Sequence, residues 1–507
     1  MSNAGFENYA FILVLAYAFV ILFFVIRGAM KTKSIQDYAL GSRGFSPLVL
    51  GLSLAAGITS AATFIINPGF VAFFGWSAFL SMSLILPVGL YGSLIYLSKS
   101  FTHYGQSVKA ATLSQWIGLR FGSKAYGQLM AFFSLLLITF IVLICVGLTK
   151  VLAQALKIDE FTALVGMVIF VFGYMMFGGA NAMIYTNAIQ AVIMLVVAII
   201  LLGSGAHFFE GGISGFWEKI ASIDPNLTKN FNQTSPLFRD WFEVIFCNFV
   251  IGIAIVCQPH IITRSLMLEK GASLNKFLLY TIVVETIFFF VLFVGFYARI
   301  EFPDLTADGQ AIKMDGIMSM YVVKNFSNFT GLIIIVGLIS AGLSTLEGLI
   351  QSVSTTITSD LIRPMLYGDK SDDETLQRKL KNVNRIVIIV LAVIAIFWSN
   401  QQLANPKLSV GILAQNGVYA FFAAAFVPVL QGIFLKNVPR IAPMAASITA
   451  IIVHFSVYYG QLTPYTTGEV RNPAVAGTIA IIAACIVGFG LYFIKKNDLS
   501  LQPKTDI

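Results

Sequence analysis

The sequence predicts an all-α polytopic membrane protein of 13 transmembrane helices: a 5+5 inverted repeat with one extra N-terminal and two extra C-terminal helices. Three observations carry this. The 507 residues are 57% hydrophobic and 11% charged, whereas a soluble domain carries about 25% charged residues. Thirteen apolar stretches approach or exceed the roughly 20 residues that cross a bilayer. Two of them are interrupted by glycine and proline at corresponding places, the mark of discontinuous helices around a midplane site.

The first span, 7–27, begins within a few residues of Met1 and is too long for the apolar core of a signal peptide. Spans at 46–72, 76–98, 125–150, 161–177 and 182–207 make the first block, about 46–207. Spans at 241–266, 274–298, 330–360, 383–400 and 409–435 make the second, about 241–435. Because each block holds an odd number of spans, the second enters from the opposite side, which gives the inverted repeat. Two further spans, 440–460 and 474–494, complete one domain over 1–507. In the second span the breakers are Gly57 and Asn67-Pro68-Gly69; in the seventh they are Gly252 and Gln258-Pro259. Pro68 also reads as the outer end of its span, and Pro259 as an ordinary kink.

The net charge of +8 lies in the loops and does not signal nucleic acid. With the C-terminus inside, about 22 of the 32 Lys and Arg fall on inner loops, among them Arg27, Lys31, Lys33, Arg43, Lys99, Lys109, Arg120, Lys124, Lys270, Lys276 and Lys436. The positive-inside rule then puts the N-terminus outside and the C-terminus in the cytoplasm of a cell membrane. The inner loop carrying Lys370-Ser371-Asp372-Asp373-Glu374 and the outer loops near 208–240 and 300–329 read as solvated connectors. Cys145, Cys247, Cys257 and Cys485 all fall inside spans, so no disulfide framework is implied. His103, His207, His260 and His454 lie on separate segments without metal-ligand spacing, which argues against an enzyme.

The ninth span holds the strongest chemical signal, Ala341-Gly342-Leu343-Ser344-Thr345-Leu346-Glu347. Two adjacent hydroxyls and a carboxylate are costly at bilayer depth, and polar groups there mark pathways and sites. Glu285, in the eighth span, is the other deep carboxylate and reads as structural.

Several strings, in order, resemble the sodium:solute symporter family. They are Gly41-Ser42-Arg43-Gly44-Phe45, then LSLAAGITSAATFIINPG in span two, YMMFGGANAMIYTNAIQ across spans five and six, QPHIITR in span seven and AGLSTLEGLIQSVSTTITSDLI in span nine. The resemblance covers nearly the whole chain and implies the LeuT-like fold. It also implies a shared sodium site on Ala56, Thr59, Ala341, Ser344 and Thr345. The residues argue for the same site independently. A hard cation takes several oxygens, and an unwound helix frees carbonyls to supply them. Ser344 and Thr345 lie one turn beyond Ala341, and the break near Ala56 and Thr59 offers the carbonyls. The competing reading has both hydroxyls bonding back to their own helix.

Two departures from the family pattern stand out. Asn187 occupies a place where many members carry Asp, and Glu347 and Gly348 replace a serine pair that builds a second sodium site in some members. Glu347 is therefore expected to act with Asn187, at a second ion site or as a proton carrier. For the solute, the resemblance points between the two broken helices, with Ser53, Ser60, Thr63, Asn248 and Gln258 as candidates. Trp76 reads as an interfacial anchor or an outer gate, and Arg264 is expected at the inner interface. The proline branch's aromatic pair is absent from Ile251-Gly252-Ile253-Ala254-Ile255-Val256, and the sialic-acid branch's arginine from Leu137-Ile138-Thr139-Phe140. A small neutral or zwitterionic solute is favoured, then an organic acid.

The expected function is secondary active symport, with inward sodium flux driving uptake of an amino-acid-like solute, organic acid or other polar metabolite by alternating access. The alternatives are a proton-coupled or uncoupled carrier using Glu347, or a transporter-like sensor with a separate partner. Sodium is the expected ion, with no other cofactor. A solute and the lipid bilayer are the expected partners, without nucleic acid, and a monomer suffices for the scheme.

Overall fold

The computed structural model describes residues 3–41, 44–108, 110–269, 271–307, 309–368, 373–404 and 409–499. Ser42, Arg43, Lys109, Lys270 and the stretch Lys370-Ser371-Asp372 lie outside the described residues. Among the described residues the secondary structure is helical, apart from a two-residue ladder of Thr306–Ala307 with Gln310–Ala311 and a single bridge between Phe45 and Leu268.

Helix α1 spans Asn3–Lys31. It turns Tyr17, Ile21 and Val25 inward at four-residue spacing, while Phe19, Phe23 and Ile26 face outward, as an amphipathic stripe requires. Next come α2 (Pro47–Ile58) and α3 (Ala62–Phe74), bent by 56° at their junction. Then follow α4 (Trp76–Lys99), α5 (Lys124–Leu156) and α6 (Glu160–Gly203). The pair α7 (Phe242–Ile255) and α8 (Pro259–Met267) is bent by 59°. After it run α9 (Leu274–Glu301), α10 (Phe329–Tyr367), α11 (Glu374–Ala404), α12 (Val410–Phe434), α13 (Ile441–Gly460) and α14 (Pro473–Lys495).

Among the described residues ten helices are long and apolar enough to cross a membrane, or up to twelve with each bent pair taken as one span. This count does not confirm the expected thirteen, and the difference is local. The spans read at 161–177 and 182–207 share the 44-residue run α6, whose helical backbone is interrupted only at Gly179, φ 56 and ψ −160. At 1.5 Å per residue such a run is about 66 Å long, roughly twice a hydrocarbon core. Gly179 supplies the turn: its φ is positive, and an added Cβ would lie 2.8 Å from the Tyr38 ring.

The bent pairs lie at the centre. Backbone bonds join the start of the first pair to the end of the second, with Gly44 and Phe45 donating to Met267 O and Glu269 N to Phe45 O. α10 packs across them and carries a buried polar stripe that includes Ser340, Ser344, Thr345, Glu347 and Gln351. Cys145, Cys247 and Cys257 are buried and Cys485 half-buried, all as free thiols.

Candidate functional site

The first break is where α2 stops. Thr59 leaves the helix with ψ 101, and its N–H makes the last helical bond, to Ala55 O. The carbonyls that follow lose their partners four residues on and turn instead toward α10. Ser344 Oγ lies 2.7 Å from Ala56 O and 3.1 Å from Ala341 O. Thr345 Oγ1 lies 3.5 Å from Ala56 O, 3.1 Å from Gly57 O and 3.3 Å from Thr59 O. All of these residues but Gly57 are fully buried, and Gly57 is buried too. Each hydroxyl owns one proton, so the two hydroxyls cannot serve all the carbonyls that face them. The cluster is rich in oxygen lone pairs and poor in protons, the donor set a hard cation takes.

Around this cradle the supports differ by side. The Thr59 hydroxyl donates toward both carboxylate oxygens of Glu285, at 2.9 Å each. Asn187 Nδ2 donates to Ser344 O at 3.1 Å, and its own Oδ1 is buried without a donor. Glu347 accepts from Tyr174 OH and Thr186 Oγ1 at 2.6 Å and from Gln190 Nε2 at 3.3 Å. Gln190 and Ser340 also hold Tyr17 OH of α1, each at 3.1 Å. Asn187 and Glu347 thus sit in the same layer, but no hydrogen bond joins them among the described residues.

The second break lies at Val256–Gln258. Here a cavity of about 110 Å³ opens between the bent pairs, lined by Ser60, Thr63, Gln258, His260, Gln415 and Tyr419 among apolar groups such as Phe140 and Phe289. Gln258 Oε1 and His260 Nδ1 are buried without partners. Three of the five expected solute residues, Ser60, Thr63 and Gln258, therefore share one cavity. The other two do not. Ser53 is taken by Arg264 Nη1 at 2.5 Å. Asn248 donates to Glu243 O at 2.8 Å and lines a separate recess with Phe238 and Asn472.

Arg264 corrects the expectation of an inner-interface residue, because it is 1% exposed. Past the 59° bend, α8 is buried along its whole length, Pro259–Met267. Arg264 Nε there reaches His260 O at 3.2 Å, and Nη2 lies 3.3 Å from where a Cβ on Gly57 would stand. Trp76 is pinned by the segment between α6 and α7, its Nε1 donating to Asn230 Oδ1 at 2.9 Å while its ring meets Trp217 edge-on at 5.4 Å. Sequence reading missed the Gly57 carbonyl, which no side chain advertises, and Tyr17, Tyr174 and Gln190. It also missed the contact of Glu285, although a carboxylate in mid-span was the available signal.

Likeness to known proteins identifies the family and the fold. The model of the "Sodium:solute symporter family" matches residues 38–450. The sodium/pantothenate symporter of Escherichia coli (strain K12) is 27% identical over 496 residues, covering 94% of this chain and 95% of the relative. The high-affinity proline transporter PutP of Bacillus subtilis (strain 168) is 24% identical over 432 residues, covering 82% and 85%. A solved structure of a Na+-coupled sialic acid symporter, substrate-bound and outward-open, superposes with a TM-score of 0.75 at 18% identity, covering 96% and 97%. The chain has that LeuT-like fold, and it belongs to the sodium:solute symporter family, as a multi-pass membrane protein that couples sodium to solute uptake.

Proposed function

We propose that sodium is held by Ala56, Thr59, Ala341, Ser344 and Thr345, joined by the Gly57 carbonyl, and that the solute binds in the cavity of Ser60, Thr63 and Gln258. The observation that carries this reading is the surplus of carbonyl lone pairs over hydroxyl protons at the first break. Rotation of two hydroxyls turns their lone pairs inward and leaves an all-oxygen shell. Sodium there ties α10 to the end of α2, and the solute ties the two breaks together. Each ligand favours the closed central arrangement, which is the condition for coupling.

The described cavity lining carries no Lys, Arg, Asp or Glu, which suits a neutral or zwitterionic solute, or an anion accompanied by the sodium charge. The pantothenate and proline relatives make a small carboxylic acid the first solute to try. The Lys and Arg bias supports an N-out, C-in orientation in the cell membrane. One chain contains both cradle and cavity, which supports a monomer.

A second reading places another cation, or a proton, at Asn187 and Glu347. Two buried acceptors without donors, Asn187 Oδ1 and Gln190 Oε1, favour it.

Thermal unfolding of the purified chain in sodium against potassium, at equal ionic strength, tests the cradle. A ligand bound only to the folded form at a hundredfold excess over its Kd adds about 2.7 kcal/mol. A sodium-specific rise lost in Ser344→Ala and Thr345→Ala is the expected result. A rise unchanged in both variants places the ion elsewhere.

A further inference from the structure

The carboxylate of Glu285 belongs to none of the roles described so far. It is fully buried in α9, and among the described residues its hydrogen-bond partner is Thr59 alone. α9 follows the first bent pair across its break. Thr281 Oγ1 reaches Gly51 O at 3.3 Å below it, and the Phe288 ring meets Phe64 at 5.5 Å above it. Glu285 lies between these two contacts, level with the unwound turn. Thr59 therefore has two opposed tasks. Its hydroxyl points away from the cradle, to Glu285, and its carbonyl points into the cradle, 3.3 Å from Thr345 Oγ1. An unwound peptide has no helix to fix its plane, and outer partners of this kind orient ion ligands.

We propose that Glu285 is a positioning residue for the sodium site, holding the Thr59 peptide through its hydroxyl so that the Thr59 carbonyl faces the ion. The proposal rests on the cradle reading. Valine at 59 keeps the carbonyl and the shape but loses the hydroxyl, serine keeps both polar groups, and glutamine at 285 keeps an acceptor.

The test is a sodium titration at constant ionic strength, read by thermal unfolding and by uptake of the transported solute, on reconstituted full-length variants. Loss of an outer partner typically weakens metal binding about 10- to 100-fold. Thr59→Val and Glu285→Ala should each raise half-saturating sodium by roughly tenfold or more, and the double variant no further. Thr59→Ser should stay near wild type, with Glu285→Gln between. Unfolding in potassium reports the fold separately, and if Glu285→Ala does not fold, the Thr59→Val and Thr59→Ser pair decides. Wild-type sodium response in Thr59→Val while Ser344→Ala is shifted overturns this proposal alone. An unshifted Ser344→Ala overturns the cradle and this proposal with it.

Discussion

The two helix breaks are the same backbone event in different company. They bend by 56° and 59°, yet the protein answers them differently. At the first, freed carbonyls meet hydroxyls from α10, and the Thr59 side chain meets a carboxylate from α9. At the second, the Gln258 side-chain oxygen and the His260 Nδ1 border a cavity and have no hydrogen-bond partner among the described residues. Carbonyl oxygens packed closely suit a small cation; loose amide and imidazole groups around open volume suit an organic molecule. What a broken helix binds is therefore set by the neighbours that cross it.

The largest effects should come from removing the clamps that keep each break in place. Gly295 of α9 packs so closely on α3 that an added Cβ would lie 2.2 Å from Pro68 O, and Gly252 of α7 stands equally close to Leu86 O. Both neighbours are backbone, so neither can yield by a rotamer change, and small residues at such crossings let membrane helices approach. Gly295→Ala and Gly252→Ala should each destabilise by about 3 kcal/mol, the upper part of the overpacking range, seen as a lower unfolding temperature in potassium. Acceptance of either alanine would show that its break is not clamped.

Gln258→Leu separates the two sites. A lost buried hydrogen bond costs on the order of 1 kcal/mol, so solute affinity should fall by about fivefold to tenfold, while sodium-specific stabilisation stays as in wild type. A parallel loss of sodium response would join what the geometry divides.

The division of labour was only partly legible in the sequence. Gly57 and Pro259 announce the interruptions and Ser344-Thr345 the hydroxyls, because polar and helix-breaking residues are conspicuous in an apolar chain, whereas Asn67-Pro68-Gly69, expected as a breaker, runs inside α3. Burial after a bend is not. Arg264 stands near the end of its span in sequence, but α8 is packed on all sides and makes it a core residue, and Ser53 is spent on it. Asn248 has the right chemistry but lines another recess and donates to Glu243 O. The gap between spans 161–177 and 182–207 was legible, but not that the helical run continues through it with a turn at Gly179 alone.

Glu347→Gln should give the smallest effect and the sharpest control. Tyr174 and Gln190 donate to one carboxylate oxygen and Thr186 to the other, and Thr186 Oγ1 also lies 3.0 Å from Met183 O. A glutamine can keep its carbonyl toward Tyr174 and Gln190 and donate its amide to Thr186, whose proton then turns to Met183 O. Every partner stays served, so the charge is removed at a stability cost within about 1 kcal/mol. Half-saturating sodium should rise less than in Thr345→Ala, because three donors already occupy this carboxylate. A shift as large as that of Thr345→Ala would move the ion along α10 to the Asn187 layer. Loss of a pH dependence present in the wild type, with sodium binding intact, would instead make Glu347 the proton carrier.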